Sequence, residues 1–132
     1  MVLATGTFDV SLTPQPAGEQ PDGVALGRLS ISKQYAGDLI GSGRGEMLSA
    51  VTQTKGSAGY VAIEHVSGSL HGREGGFVLQ HSGSMDRGAQ QLSITVVADS
   101  GSGQLAGITG RCMITIAEGK HSYEFEYSLP QT

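Results

Sequence analysis

GSAGYVAIEHVSGSLHGREGGFVLQHSGSM, residues 56–85, reads as two long strands folded over a Gly-rich turn. Arg73-Glu74-Gly75-Gly76 is the expected turn. On either side an apolar run (Tyr60 to Ile63, then Phe77 to Leu79) and a polar Gly/Ser patch (Val66 to Gly72, then His81 to Ser84) recur in mirror order. Two arms that share one buried face have this appearance. The stretch also holds Tyr60, Glu64, His65, His71, Gln80 and His81, the densest group of titratable and hydrogen-bonding side chains in the chain. With the turn at Arg73 to Gly75, Gly72 pairs with Gly76 and His65 falls opposite Gly83. That register puts His65 and His81 on one face and Glu64 with Gln80 on the other. A bulge at any of the intervening glycines exchanges the faces, and both faces are partly apolar, so periodicity leaves the inner one open.

Working outward, the same period of two continues. Thr5 to Thr13 alternates, with Phe8, Val10 and Leu12 on one face, before PQPAGEQPDG (14–23) ends the strand in a polar loop. Leu26 to Tyr35 places Leu29, Ile31 and Tyr35 on one face together with Lys33. Asp38 to Ala50 carries Gly41, Gly43 and Gly45 at every other position, which leaves one face bare and lets neighbouring groups approach closely. Beyond the hairpin, Gln91 to Ala98, Gln104 to Ile116 and His121 to Leu129 read as three further strands, separated by turns at Asp99 to Gly103 and Ala117 to Lys120. The last strand has Tyr123, Phe125 and Tyr127 on one face. No window keeps apolar residues at helical spacing, so helix is nearly absent. The expected fold is all-β: a single domain over 1–132, an antiparallel β-barrel of about eight strands, with an open sandwich as the alternative. Ser67-Gly-Ser-Leu70, Ser82-Gly-Ser-Met85 and Ser100-Gly-Ser-Gly103 reuse turn chemistry at unequal spacing and do not form a repeat.

Composition narrows the function classes. A net charge of −4 without basic clusters argues against nucleic acid and anionic membrane as partners. Cys112 is the single cysteine, which rules out an intrachain disulfide and a Cys-rich zinc site. Its place among isoleucines predicts an inert core thiol. The four histidines, at 65, 71, 81 and 121, lack the close spacing of a preformed metal pair, so neither a metal nor a cofactor is expected. The N-terminus MVLATGTFDVSL has no basic and apolar leader pattern, and a cytoplasmic protein is the expectation.

Gly101 to Gly110, GSGQLAGITG, resembles the Gly-rich strand entry of allene oxide cyclase-like and dirigent-like barrels. GEMLSA (45–50), residues 55–85, LSITVVADSGSGQLAGITG (92–110) and HSYEFEYSL (121–129) together are similar to the bacterial domain-of-unknown-function family numbered 3224. The resemblance covers nearly the whole chain. It implies a small antiparallel barrel of the allene oxide cyclase type and no reaction, because fold alone does not carry activity.

Three functional readings follow. In the first, the barrel binds a small hydrophobic or amphipathic molecule, with or without turnover. Its wall is then built from Tyr60, His65 and Gln80 on the hairpin and Tyr123, Phe125 and Tyr127 on the closing strand. In the second, Glu64 or His81 acts as an acid/base group of an isomerase- or cyclase-type enzyme; the bland counterparts are a solvated carboxylate and a core histidine. In the third, the chain is an assembly module that forms a homo-oligomer through a barrel face.

Overall fold

The computed structural model describes residues 1–18 and 20–130. Glu19, within the loop expected after the first strand, and Gln131 and Thr132 at the end of the chain lie outside the described residues. The strands are β1 (Val2–Gln15), β2 (Val24–Gly37), β3 (Leu39–Thr52), β4 (Ala58–Leu70), β5 (Arg73–Asp86), β6 (Ala89–Val96), β7 (Ser102–Gly103), β8 (Thr109–Ala117) and β9 (Lys120–Ser128). All pairings are antiparallel. They run β1 to β6 in sequence order, then from β6 to β8 and β9, and β9 returns to β1. The result is the expected all-β barrel, closed by eight strands, with β7 as a short addition on β5 at Gly75 and Gly76. Among the described residues no helix is long and apolar enough to cross a membrane.

Closure is uneven along the barrel axis. β9 pairs with β1 only as far as Phe8↔His121, whereas β1 continues against β2 to Gln15. β6 and β8 meet at a single pair, Thr95↔Arg111. One half of the barrel is therefore sealed all round, and the other half flares into a mouth along the β6–β8 seam.

The sealed half holds the densest packing. Phe77, Phe125 and Tyr127 stack in series with centroid separations of 5.4 Å, and Leu39, Val66 and Leu70 fill the space beside them. Tyr123 reaches across from β9 to the β2–β3 turn, where its hydroxyl accepts the Leu39 N–H (2.9 Å) and donates to the Ala36 carbonyl (2.9 Å). Gln104 to Ile116 is not one strand as the alternation suggests. Residues 104–108 instead run as successive tight turns, with the Leu105 N–H donating to Ser102 O (3.0 Å) and the Ile108 N–H to Leu105 O (3.1 Å). These turns press Leu105 and Ile108 into the barrel end as a plug, both fully buried. Burying a side chain of that size stabilises by about 2 kcal/mol, more than the extra ladder bonds of a longer strand contribute net.

The hairpin turn also differs from expectation. It is the two-residue turn His71-Gly72, with φ of 48° and 82°, which suits the right-handed twist of its arms. Leu70 pairs with Arg73 and His65 lies opposite Val78, not Gly83. The register thus moves by five residues from the expected one, an odd number, so the faces are exchanged on one arm. Glu64 and His81 share the inner face, and His65 and Gln80 both point outward.

Candidate functional site

At mid-height the barrel interior contains charge. Glu64 on β4 is completely buried, and Lys33 on β2 and His81 on β5 are 6% and 4% exposed. The Glu64 carboxylate accepts three hydrogen bonds. Lys33 Nζ (3.0 Å) and His81 Nε2 (2.9 Å) donate to Oε1, and the Tyr35 hydroxyl donates to Oε2 at 2.5 Å. The Lys33 ammonium also lies 4.9 Å from the centre of the Phe8 ring, which stabilises a desolvated cation.

The glycines of β3 make this cluster feasible. Lys33 pairs with Gly43, and Glu64 pairs with Gly45 on the other side of the same strand. β2 and β4 are therefore about 9–10 Å apart with β3 between them. Only because β3 presents no side chain here can Lys33 and Tyr35 reach the carboxylate. A Cβ at Gly43 would overlap Glu64 Oε2 and crowd the Tyr35 ring. Glu64 and His81 meet as diagonal neighbours, since Glu64 pairs with Leu79 and Ala62 with His81.

Burial works against the Glu64 charge, but the hydrogen bond from His81, the adjacent Lys33 charge and the Tyr35 hydroxyl outweigh it. The net effect holds the carboxyl below its ordinary value of 4.5. Burial, followed by the charge of Glu64 and the hydrogen bond to it, pushes the Tyr35 phenol far above its usual range. At neutral pH Glu64 is therefore a carboxylate and Tyr35 a donor. An ionised carboxylate only accepts, so His81 Nε2 carries a proton. Nearby, burial pushes the Cys112 thiol up to about 12, with Lys33 lowering it and Glu64 raising it, so the sulfur stays protonated and unreactive.

Above the cluster, towards the flared end, lies a cavity of ≈ 320 Å³. Its wall is the inner face of β3 to β6: Met47, Ser49, Tyr60, Gly83, Met85 and Leu92. Tyr60 lies flat over its cross-strand partner Gly83, where a Cβ would strike the ring. His81 and Ala62 form the next inward layer below Gly83 and Tyr60.

The residues singled out from sequence thus separate into three places. Glu64 and His81 meet in the buried cluster, and Tyr60 lines the mouth. Tyr123, Phe125 and Tyr127 are 2–4% exposed within the sealed half, and the Tyr127 hydroxyl is engaged with His71 Nδ1 at 2.5 Å. Gln80 is exposed on the outer surface, and His65 lines an outer groove with Ser67, Ser69 and Ser102. Lys33 and Tyr35 were missed as site residues. The available signal was a lysine sharing a strand face with Leu29, Ile31 and Tyr35, opposite a strand carrying glycine at alternate positions. His121, inward on β9, packs 5.2 Å from the Phe8 ring. Among the described residues no group of three or more His, Cys, Asp or Glu is placed to hold a metal ion.

Comparisons with known proteins agree on one relationship. The family described as "Protein of unknown function (DUF3224)" matches residues 4–127. The crystal structure of a DUF3224 protein of unknown function from Shewanella oneidensis MR-1 is similar over 100% of this chain and 99% of that one, at 49% identity and a TM-score of 0.96. No curated protein matches the sequence. A family match over nearly the whole length, together with a near-superimposable relative at that identity, means that this chain belongs to the DUF3224 family.

Proposed function

We propose that the protein binds a small, largely apolar molecule in the flared mouth of its barrel. The observation that carries this reading is the contrast between the two ends. One is plugged by Leu105 and Ile108, while at the other the inner face leaves Leu92 48% and Val51 52% exposed around a cavity of ≈ 320 Å³. That volume suits a molecule of one or two fused rings. Met47 and Met85 give the wall unbranched, polarizable side chains that adapt to shape. An allene oxide cyclase-like architecture is part of this reading, since a small closed barrel with space at one end is what a small apolar ligand requires.

Glu64 does not serve as a proton acceptor in this reading. Both of its oxygens are occupied by donors and its proton affinity is reduced, so it orients and polarises His81.

The test uses the methionines as reporters. The chain has four, and Met1 and Met113 lie outside the cavity wall at 84% and 40% exposure. With 13C-methyl methionine labelling, titration of 1-methoxynaphthalene should shift the Met47 and Met85 methyl signals and leave Met1 and Met113 in place. No shift, or equal movement of all four, rejects the reading.

Self-association has separate support from Leu48, Val61 and Ile63, which stand on the outer face of β3 and β4 at 56%, 52% and 52% exposure. Sedimentation velocity across a concentration series tests it, and a monomer at every concentration removes it.

A further inference from the structure

We infer that the sealed end of the barrel carries a second binding site, in which Arg73 takes the carboxylate of a small organic acid while Val2 and Leu129 receive its apolar part. The site is separate from the mouth and does not rest on the mouth reading.

The period of two places an arginine where a barrel usually keeps apolar groups. Ala4 and Phe8 on β1, Phe77 and Leu79 on β5, and Phe125 and Tyr127 on β9 are buried on the inner face. Val2, Arg73 and Leu129 continue those three phases to the rim. Together with His71 and Tyr127 they enclose a depression of ≈ 350 Å³ just beyond the aromatic stack. Its floor is Tyr127, 4% exposed.

One wall is fixed before any ligand arrives. His71 occupies the first place of the two-residue turn at φ 48°, a left-handed conformation that Asn or Gly more often takes there. Such a conformation persists where the surroundings hold it. Here the His71 N–H donates to the Asp38 carbonyl (2.9 Å), Nδ1 lies 2.5 Å from the Tyr127 hydroxyl and Nε2 lies 3.5 Å from Asp38 Oδ2. The two rings pack at 5.7 Å. Asp38 Oδ2 in turn accepts the Thr5 N–H (2.9 Å), so the nearest acidic group is tied to the turn and to β1 and is not part of the pocket wall.

The charge in the pocket is that of Arg73. Among the described residues no carboxylate is paired with it. Burial pushes the Tyr127 phenol up, and of the charges around it Arg73, which lowers it, outweighs Asp38, which raises it. A guanidinium presents paired N–H donors that match the two oxygens of a carboxylate. One such group beside two aliphatic side chains and a phenol ring suits a monoanion with an apolar body, and a doubly charged phosphate finds neither a second cation nor a polar wall.

The experiment compares sodium benzoate with benzamide, which has nearly the same shape and no charge. Binding is read at the Arg73 Nε–H and Gly72 amide signals in 1H–15N spectra. On the unmodified protein, benzoate should shift both to saturation and bind about tenfold more tightly than benzamide, the worth of one charge-assisted hydrogen bond. Arg73→Gln should bring the two affinities, read at Gly72, together. The Arg73 side-chain shift on the unmodified protein serves as the test if that variant does not fold. Equal affinities, movement of the Met47 and Met85 methyl signals in place of Arg73, or tighter binding of inorganic phosphate than of benzoate overturns the inference. None of these outcomes touches the mouth reading, which is tested with an uncharged probe.

Discussion

The sealed half and the mouth are built by the same strands, yet they solve the problem of a barrel interior in opposite ways. In the sealed half, Phe77, Phe125, Tyr123 and Tyr127 bring rings to the axis and every phenol is tied to a neighbour. In the mouth the inward positions include Met47, Ser49, Gly83 and Leu92, too small or too flexible to meet across it, while the Tyr60 ring lies over Gly83. The ion cluster divides them. Its groups are paired well enough to lie buried, so they cap the aromatic core without closing the cup. Burial and cavity here are decided by side-chain size at inward positions, layer by layer, since the backbone alternation is the same throughout.

The largest expected effect that would break this comparison comes from the dividing layer. Lys33→Met strands the Glu64 carboxylate in the interior, and removing one partner of a buried pair costs about 3–5 kcal/mol. Urea denaturation should show this loss, and a loss under 1 kcal/mol would mean that the cluster is far more hydrated than its burial indicates. Next is a paired test of the halves. Phe125→Ala should cost about 3–5 kcal/mol, as truncation of a fully packed ring does. Leu92→Ala, at a half-exposed position of the mouth, should cost under about 1 kcal/mol. Equal costs would erase the distinction. Gly43→Ala should then cost about 2 kcal/mol, because the added methyl displaces the Glu64 carboxylate from Tyr35. A neutral result would show that β3 can shift.

The smallest effect sharpens the electrostatics. The Glu64 carboxyl has a lower proton affinity folded than unfolded, so the unfolded chain binds more protons once pH falls towards 4.5. The stabilisation is complete above that pH and is lost as pH drops through the depressed folded value. Glu64→Gln should flatten this part of the acid-unfolding curve relative to the unmodified protein. Curves of equal slope would assign acid lability to other groups.

Much of the barrel was legible because a half-buried strand writes its own period. Phe8, Ile31, Tyr35, Tyr123 and Phe125 lie on the faces where alternation gathers the large apolar side chains, and the structure turns those faces inward. The hairpin register was not legible, for a specific reason. Gly75 and Gly76 look like turn residues, but they lie within β5, where β7 pairs closely alongside them. A Cβ at Gly75 would overlap the Ser102 carbonyl. Their smallness answers a tertiary contact about 27 residues further on in the chain, which no local rule detects. The same holds for Gly43, which is bare so that Lys33 and Tyr35 can reach a carboxylate two strands away.

Alternation and turn chemistry in the sequence were thus enough to specify an all-β antiparallel fold, to favour a closed barrel over an open sandwich, and to mark Glu64 and His81 within residues 56–85 as groups of interest. Only the tertiary structure decided that both face inward, that Lys33 and Tyr35 join them, and that the aromatic strand fills one end while the other stays open. The physical reason is that strand period assigns a residue to one of two faces. Which face is inside, and what meets across the interior, depends on registers set by contacts between distant strands.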